Sequence, residues 1–347
     1  MREIVIDGSY GEGGGQILRT SLFLSTVLKM PIKVENIRAK RDNPGLRPQH
    51  LATVKAFIEL TGGKAENLKV GSTVIRYVPG SEVRYVKEIS IGTAGSITLM
   101  LQSLLPALSL MGRELSFRVI GGTDTRWSPT FDYFRYLVIP LFRKIGLDVD
   151  VYIMRRGYYP KGGGIVQVKV GKSKTLKPLM ALEKDEESPV KIKSIASRLP
   201  LSVAQRQANS AKLTLGRKGL NVEDMEIRVE DAISPGTSIL VYSASKKKNF
   251  LIGGDSIGEK GLPAEEVGRR AAENFLTEYY SEAVLDRHLA DMVVPIISLI
   301  PEESIIVTSD LTGHLNTNLY IAHLFTKCKY EVIKRDRGVI VKVRGRG

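Results

Sequence analysis

The run EIVIDGSYGEGGGQILRTSLFLSTVLKMPIKVENI, Glu3–Ile37, reads as strand, glycine turn, apolar helix and strand. A short apolar run bounded by charge opens it, glycines interrupt it, and an apolar segment of helical length follows. The same order returns in EISIGTAGSITLMLQSLLPALSLMGRELSFRVI, Glu88–Ile120, and more loosely in SEAVLDRHLADMVVPIISLIPEESIIVTS, Ser281–Ser309. Each copy is followed by a second helix and two strand-like runs, over Pro48–Pro79, Thr130–Val170 and His314–Val343. In the first of these helices Leu51, Val54, Phe57 and Ile58 form one stripe. The runs VIRYV, IVQVKV and VIVKV are β-branched and roughly alternating, as strands are. Gly62, Gly63 and Gly146 mark helix ends. Three such units predict an α/β architecture of βαβαββ repeats packed on one another.

The third copy begins far later than the spacing of the first two requires, so a segment is inserted before it. The inserted stretch, 182–278, opens on charged LEKDEESP. It carries the strands VKIKSIASRL, EIRVE, SILVYSAS and NFLIGG and the helices SVAQRQANSAKLTLGRKG and PAEEVGRRAAENFLTEYY. That is enough for a small α/β domain of its own. The large domain is expected over 1–181 and 279–347.

The 347 residues are 43% hydrophobic and 25% charged, an ordinary globular balance. No apolar run is long enough to cross a bilayer, and the N-terminal residues lack the apolar core of a signal peptide. Cys328 is the single cysteine, which excludes an internal disulfide and favours a reducing, cytoplasmic setting. The net charge of +14 suits a polyanionic partner and also suits a solvated basic surface.

DGSYGEGGGQILRT, Asp7–Thr20, is the densest site candidate. Glycine lets a backbone approach a ligand closely, and the helix after it aims its first N–H groups at whatever lies there. The spacing is neither a Walker loop nor a dinucleotide fingerprint. Glu12 is either idle in solvent or a ligand to metal or hydroxyl, and Gln16 and Arg19 lie one turn apart. Arg38, Lys40, Arg41 and Arg47 crowd the loop before Gln49 and His50, where guanidinium forks suit phosphate as readily as solvent. Gln102 sits among leucines and needs a partner there, from protein or ligand. The loop GGTDTRWSPTFDYF holds the only tryptophan, Trp127, with Pro129 and Tyr133 nearby; it can stack a base or simply pack. RRGYYPKGGG adds Arg155, Arg156 and Lys161 with the same two readings. Asp286, His288 and Asp291 make a poor zinc pattern. His314 precedes a helix; it is a helix-start residue or, since a largely neutral imidazole there attacks phosphorus well, a nucleophile.

Taken together, DGSYGEGGGQILRTSL, IRAKRDNPGLRPQHLATVKA, GTAGSITLMLQSLLPAL, GGTD, GYYPKGGG, HLADM and HLNTN resemble, in order and spacing, the RNA 3′-terminal phosphate cyclase family over essentially the whole chain. The resemblance implies an enolpyruvyl-transferase-like large domain of three repeats with a thioredoxin-like module inserted before the third. It implies a ligase that uses ATP and Mg²⁺ or Mn²⁺ to convert an RNA 3′-phosphate to a 2′,3′-cyclic phosphodiester. His314 would be the nucleophile that carries AMP, and Glu12 the metal-associated carboxylate. Gln102, Pro129, Tyr133 and the segment His288, Leu289, Ala290, Asp291, Met292 would form the adenosine pocket. Gln16, Arg19, Arg38, Arg41 and Gln49 would grip phosphates of RNA or ATP. Met292 departs from the glutamine that often ends the adenosine motif. The alternative within the resemblance is a non-catalytic cyclase-like RNA-binding protein of ribosome assembly, which would lack the histidine. The reading leaves homo-oligomerisation open.

Overall fold

The computed structural model describes residues 3–173 and 175–346. In its first sheet β1 (Ile4–Asp7) runs through α1 (Gly15–Leu28) to β2 (Ile32–Glu35), and α2 (Pro48–Thr61) leads to the hairpin of β3 (Lys64–Glu66) and β4 (Ile75–Val78). The order is β1-β2-β4-β3, with β1 and β2 parallel and the other pairings antiparallel. The second sheet repeats this sense with β5 (Glu88–Ser90), α3 (Ile97–Leu110), β6 (Leu115–Gly121), β7 (Val149–Arg155) and β8 (Gly164–Val170), ordered β5-β6-β8-β7. Its second helix is built of α4 (Phe131–Tyr133), a π turn over Phe134–Val138 and α5 (Ile139–Lys144).

The third sheet contains a correction to the sequence reading. Its first strand is β9 (Met180–Ala181), parallel to the later strand β14 (Glu303–Thr308) through Met180↔Ile305 and Ala181↔Ile306. The expected strand within Ser281–Leu285 is absent as an element: Leu285 makes one isolated bridge, to Leu251. The place beside Ile305 is filled, since Ile305 N–H donates to Leu179 O at 2.8 Å and Leu179 N–H to Ser304 Oγ at 3.0 Å, and the Val284 and Leu285 N–H groups reach only Val307 O near the end of β14, at 2.9 and 3.1 Å. Ala283, Val284 and Leu285 are buried as a connecting segment instead. The inserted stretch therefore enters after the first strand of this unit.

That stretch forms a fourth sheet from β10 (Val190–Ser197), β11 (Val222–Val229), β12 (Gly236–Ala244) and β13 (Leu251–Ile257), ordered β11-β10-β12-β13. Helices α6 (Leu201–Gly216) and α7 (Ala264–Tyr279) pack together against it. The chain returns through α8 (Arg287–Ile297), β14, α9 (Gly313–Thr326), β15 (Lys329–Arg335) and β16 (Gly338–Arg344), giving the order β15-β16-β14-β9.

The apolar faces of α1, α3, α8 and α9 meet in one continuous core. This arrangement, rather than local propensity, holds α3 together: eleven of its residues are buried although Pro106 lies inside it. No helix among the described residues is long and apolar enough to cross a membrane.

Candidate active site

The site is assembled from helix starts. The N-terminal cap of α1 is Gly14, which has no side chain to satisfy the first N–H groups. Those groups, and the positive end of the helix, are left for an anion. The start of α9 lies against the same loop. Its cap, Thr312, accepts a hydrogen bond from Leu315 N–H at 2.8 Å and donates its own hydroxyl to Asp291 Oδ1 at 2.6 Å. Gly313 follows, and a Cβ there would come within 2.5 Å of Glu12 Oε1. His314 stands next in this first turn. Its Nδ1 is 3.2 Å from Glu12 Oε2, and Arg41 Nη2 is 4.0 Å from the same oxygen.

Two helices are tied to this turn. Gln16 Nε2 donates to His314 O at 3.2 Å, and Thr20 Oγ1 donates to Asn318 Oδ1 at 2.8 Å. Asn318 Nδ2 in turn donates to Asp291 O at 2.5 Å, which locks α8 to α9. The backbone of this first turn is thus held by α1 on one side and α8 on the other.

A narrow cleft opens between these helices, lined by Gln16, Arg19, Gln102, Met292 and Asn318 among others. Gln16 is 7% exposed and its Oε1 has no hydrogen-bond partner. An unpartnered buried amide oxygen is costly, so a ligand donor suits the position. Arg19 is half-buried and pairs with no carboxylate among the described residues; loss of water brings its pKa down to about 10. It remains a cation at neutral pH. A half-buried cation with no carboxylate partner gives the cleft a preference for negative charge.

His314 has its pKa pushed below the ordinary histidine value, chiefly by burial, with Glu12 pulling the other way and Arg19, His288 and Arg41 adding to the fall. The ring is neutral at pH 7. With Glu12 beside Nδ1, the proton belongs on that nitrogen and the Nε2 lone pair is free. Burial raises Asp291 well above the carboxylate range, with Thr312 as its hydroxyl partner.

The other predicted residues take varied positions. Gln49 Oε1 accepts from Ser96 N–H at 3.0 Å, so this side chain joins the basic loop to the start of α3. Arg38 turns inward, its Nη1 donating to Asn43 O at 2.5 Å and Gly45 O at 3.2 Å. Leu289 and Ala290 are wholly buried, so only their packing and backbone face a ligand. Tyr133 is 2% exposed and donates to Asp286 Oδ1 at 2.5 Å, and that carboxylate also caps α8 through His288 N–H and Leu289 N–H. His288 is exposed, with its ring edge-on to Tyr133 at 6.5 Å between centroids. Pro129 is half-buried and accepts from Thr98 Oγ1 through its carbonyl.

Three residues of the site carry no strong sequence signal. Thr312 and Asn318 read only as polar residues around a helix start. His50 reads as the tail of a basic loop. In the fold its Nδ1 accepts from Arg47 N–H at 3.1 Å, and its buried ring lies under the glycine turn with a pKa of about 3, held down first by burial and then by Arg19, Arg38 and Arg47. A Cβ on Gly15 would lie 2.2 Å from His50 Nε2 and 3.2 Å from Arg19 Nη1. Gly15→Ala is therefore expected to lose about 1–3 kcal/mol of stability, because the packed ring cannot move aside. Urea denaturation measures this directly.

A family model described as RNA 3′-terminal phosphate cyclase matches residues 10–332, a span that includes both Glu12 and His314. The chain belongs to the RNA 3′-terminal phosphate cyclase family. It is 42% identical over 334 residues to the RNA 3′-terminal phosphate cyclase of Thermococcus gammatolerans, covering 96% of this chain and 95% of the relative. The protein of the same name from Thermococcus onnurineus is 43% identical over 337 residues, 96% of each chain. That from Pyrobaculum aerophilum is 42% identical over 346 residues, 99% of this chain and 98% of the relative. The mixed α/β architecture agrees with membership of this enzyme family, and the residues contributed by α1, α8 and α9 all fall inside the matched span.

Proposed function

We propose that this protein converts an RNA 3′-terminal phosphate to a 2′,3′-cyclic phosphodiester, using ATP, through AMP carried covalently on His314. The observation that carries the reading is the imidazole at the start of α9 with Nδ1 at 3.2 Å from Glu12, which leaves Nε2 as the attacking atom. Nε2 attacks the α-phosphorus of ATP and pyrophosphate leaves. Glu12 offsets the charge of the imidazolium that results. An oxygen of the RNA 3′-phosphate then displaces the histidine, forming an RNA–adenylate. The neighbouring 2′-hydroxyl attacks the 3′-phosphorus, its proton is lost to a base, and AMP departs. Covalent transfer divides one difficult displacement into easier ones.

The surrounding residues suit the task. Arg19 and Arg41 would hold phosphate oxygens, and the open N–H groups of α1 would add to them. Gln102 and Met292 line the cleft and would meet the nucleoside, while Asp291 accepts from Thr312 Oγ1 at the start of α9. Glu12 would hold Mg²⁺ or Mn²⁺, which would supply neutralisation of phosphate charge. No cluster of three acidic, histidine or cysteine side chains suited to a metal forms among the described residues. One carboxylate plus substrate phosphates is the usual setting of Mg²⁺, so the donor set fits.

Intact-mass measurement after incubation with ATP and Mg²⁺ tests the reading. An AMP adduct should appear, map to the peptide containing His314, and discharge on adding RNA with a 3′-phosphate but not a 3′-hydroxyl. RNA binding with no adduct would assign the chain to the non-catalytic assembly role instead.

A further inference from the structure

In the loop after β6, Trp127 finds no use in the site described above, yet it is 91% exposed. The whole indole is therefore available to a partner. Trp127 also has φ +58°, a left-handed conformation that a bulky residue adopts only when its surroundings impose it. Those surroundings are visible. Arg126 forms an ion pair with Glu259 of the inserted stretch, and Thr125 and Ser128 share a hydroxyl–hydroxyl bond of 2.8 Å across the turn. Both neighbours of Trp127 are pinned, so the indole projects.

A second loop, between β7 and β8, does the same with Tyr159, which is 80% exposed. The roots of the two loops are bonded to each other: Thr123 N–H donates to Gly157 O at 2.8 Å and Gly157 N–H to Thr123 Oγ1 at 2.9 Å. Both rest on the turn before α3. A Cβ on Gly122 would lie 2.4 Å from Ala94 O, and one on Gly162 would lie 2.8 Å from Ala94 Cα. The same turn abuts Gln49, since Gly95 approaches its Cβ and Ser96 bonds its Oε1. A continuous rim thus runs from the basic loop beside Glu12 and His314 to the two projecting rings. Three cations decorate it: Arg155, Lys161 and Arg198. None pairs with a carboxylate among the described residues; Arg155 and Arg198 donate only to the carbonyls of Gly163 and Ile233.

From this we infer that Trp127 and Tyr159 form a stacking platform for the bases of single-stranded RNA just upstream of its 3′-phosphate. The inference rests on the function proposed above. Free cations beside projecting aromatic faces are the chemistry that holds a single strand with little regard to sequence. A duplex end keeps its bases paired and offers no free faces, so the platform selects single-stranded termini.

The test uses the full-length protein and an oligoribonucleotide bearing a 3′-phosphate. Trp127 is the only tryptophan, so its fluorescence reports stacking without reference to catalysis. Binding of the oligonucleotide should quench it. Trp127→Ala and Tyr159→Ala should each raise KM for the oligonucleotide on the order of tenfold. Neither change should alter the ATP dependence of self-adenylylation, or turnover of a nucleoside 3′-phosphate that has no upstream base. Unaltered oligonucleotide KM in the double variant, shown folded by its Tm, would overturn the inference. So would a rise in KM for ATP alone, which would place the indole on adenine. If wild-type protein forms no cyclic product at all, the proposed reaction fails; quenching by single-stranded but not duplex RNA would still support the platform, and its absence would remove it.

Discussion

Alanine at position 314 is expected to abolish the AMP adduct and to reduce cyclisation by roughly 10⁴- to 10⁶-fold, the scale on which loss of a covalent nucleophile is felt. Stability should change little, within about 0.5 kcal/mol, because the imidazole is 44% exposed, its Glu12 partner is exposed as well, and Gln16 bonds the backbone carbonyl rather than the ring. The defect should also be confined to one step. Gln16, Arg19 and the open start of α1 stay in place, so RNA binding by fluorescence should persist. An RNA already carrying AMP on its 3′-phosphate needs no histidine, since the 2′-hydroxyl and the activated phosphorus are in one molecule. His314→Ala should therefore cyclise that substrate at a rate near wild type while failing with ATP and the plain 3′-phosphate. Equal failure with both would show that the ring acts in the closing step as well. Pyrophosphate release and intact mass follow the first half, and chromatography of the RNA follows the second.

How much of this was legible in the residues differs by level. The repeated order of strand, small-residue turn and apolar helix carried the α/β class, because a two-residue period giving way to a helical one is a local signal. The first strand of the third sheet escaped it. Met180 and Ala181 are too few to show any period, and the apolar run Ala283–Leu285 offered a more strand-like sequence that the fold buries as a connector. In the site, Glu12, Gln16, Arg19 and His314 stood out because glycines or a helix start framed each one. What they touch did not. Gln49 accepts from Ser96 through Oε1, and Leu289 and Ala290 share a motif with Asp291 yet point into the core. Such distinctions depend on which turn of a helix faces a neighbour that is hundreds of residues away in the chain. Arg156 is the clearest case. In RRGYYPKGGG its sequence leaves ligand contact and plain packing both open, and only the fold reveals the carboxylates around it.

Replacing Arg156 with methionine is expected to cost about 3–5 kcal/mol of stability at pH 7. The guanidinium is 1% exposed and lies over the Phe131 ring, so no water replaces what it loses. Its Nη2 donates to Asp132 Oδ2 at 2.8 Å, its Nε to Glu230 Oε2 at 2.7 Å, and its Nη1 to Asp124 Oδ2 at 3.3 Å. Three carboxylates thus share one cation. Methionine fills much of the volume but leaves these acids facing one another across a dry space. Burial already raises the pKa of Asp132, with Arg156 the main opposing influence. Without Arg156, Asp132 loses that opposing influence and binds its proton more tightly folded than unfolded. A group with its folded pKa raised favours folding more as pH falls, so the deficit should shrink between pH 7 and about pH 5. Urea melts of both proteins at the two pH values check the size and the sign. The consequence reaches function because Glu230 belongs to the inserted stretch, while Asp124 and Arg156 lie at the roots of the loops bearing Trp127 and Tyr159. A variant that loses less than about 1 kcal/mol at pH 7, or whose deficit grows as pH falls, would show that water or other cations already neutralise the cluster.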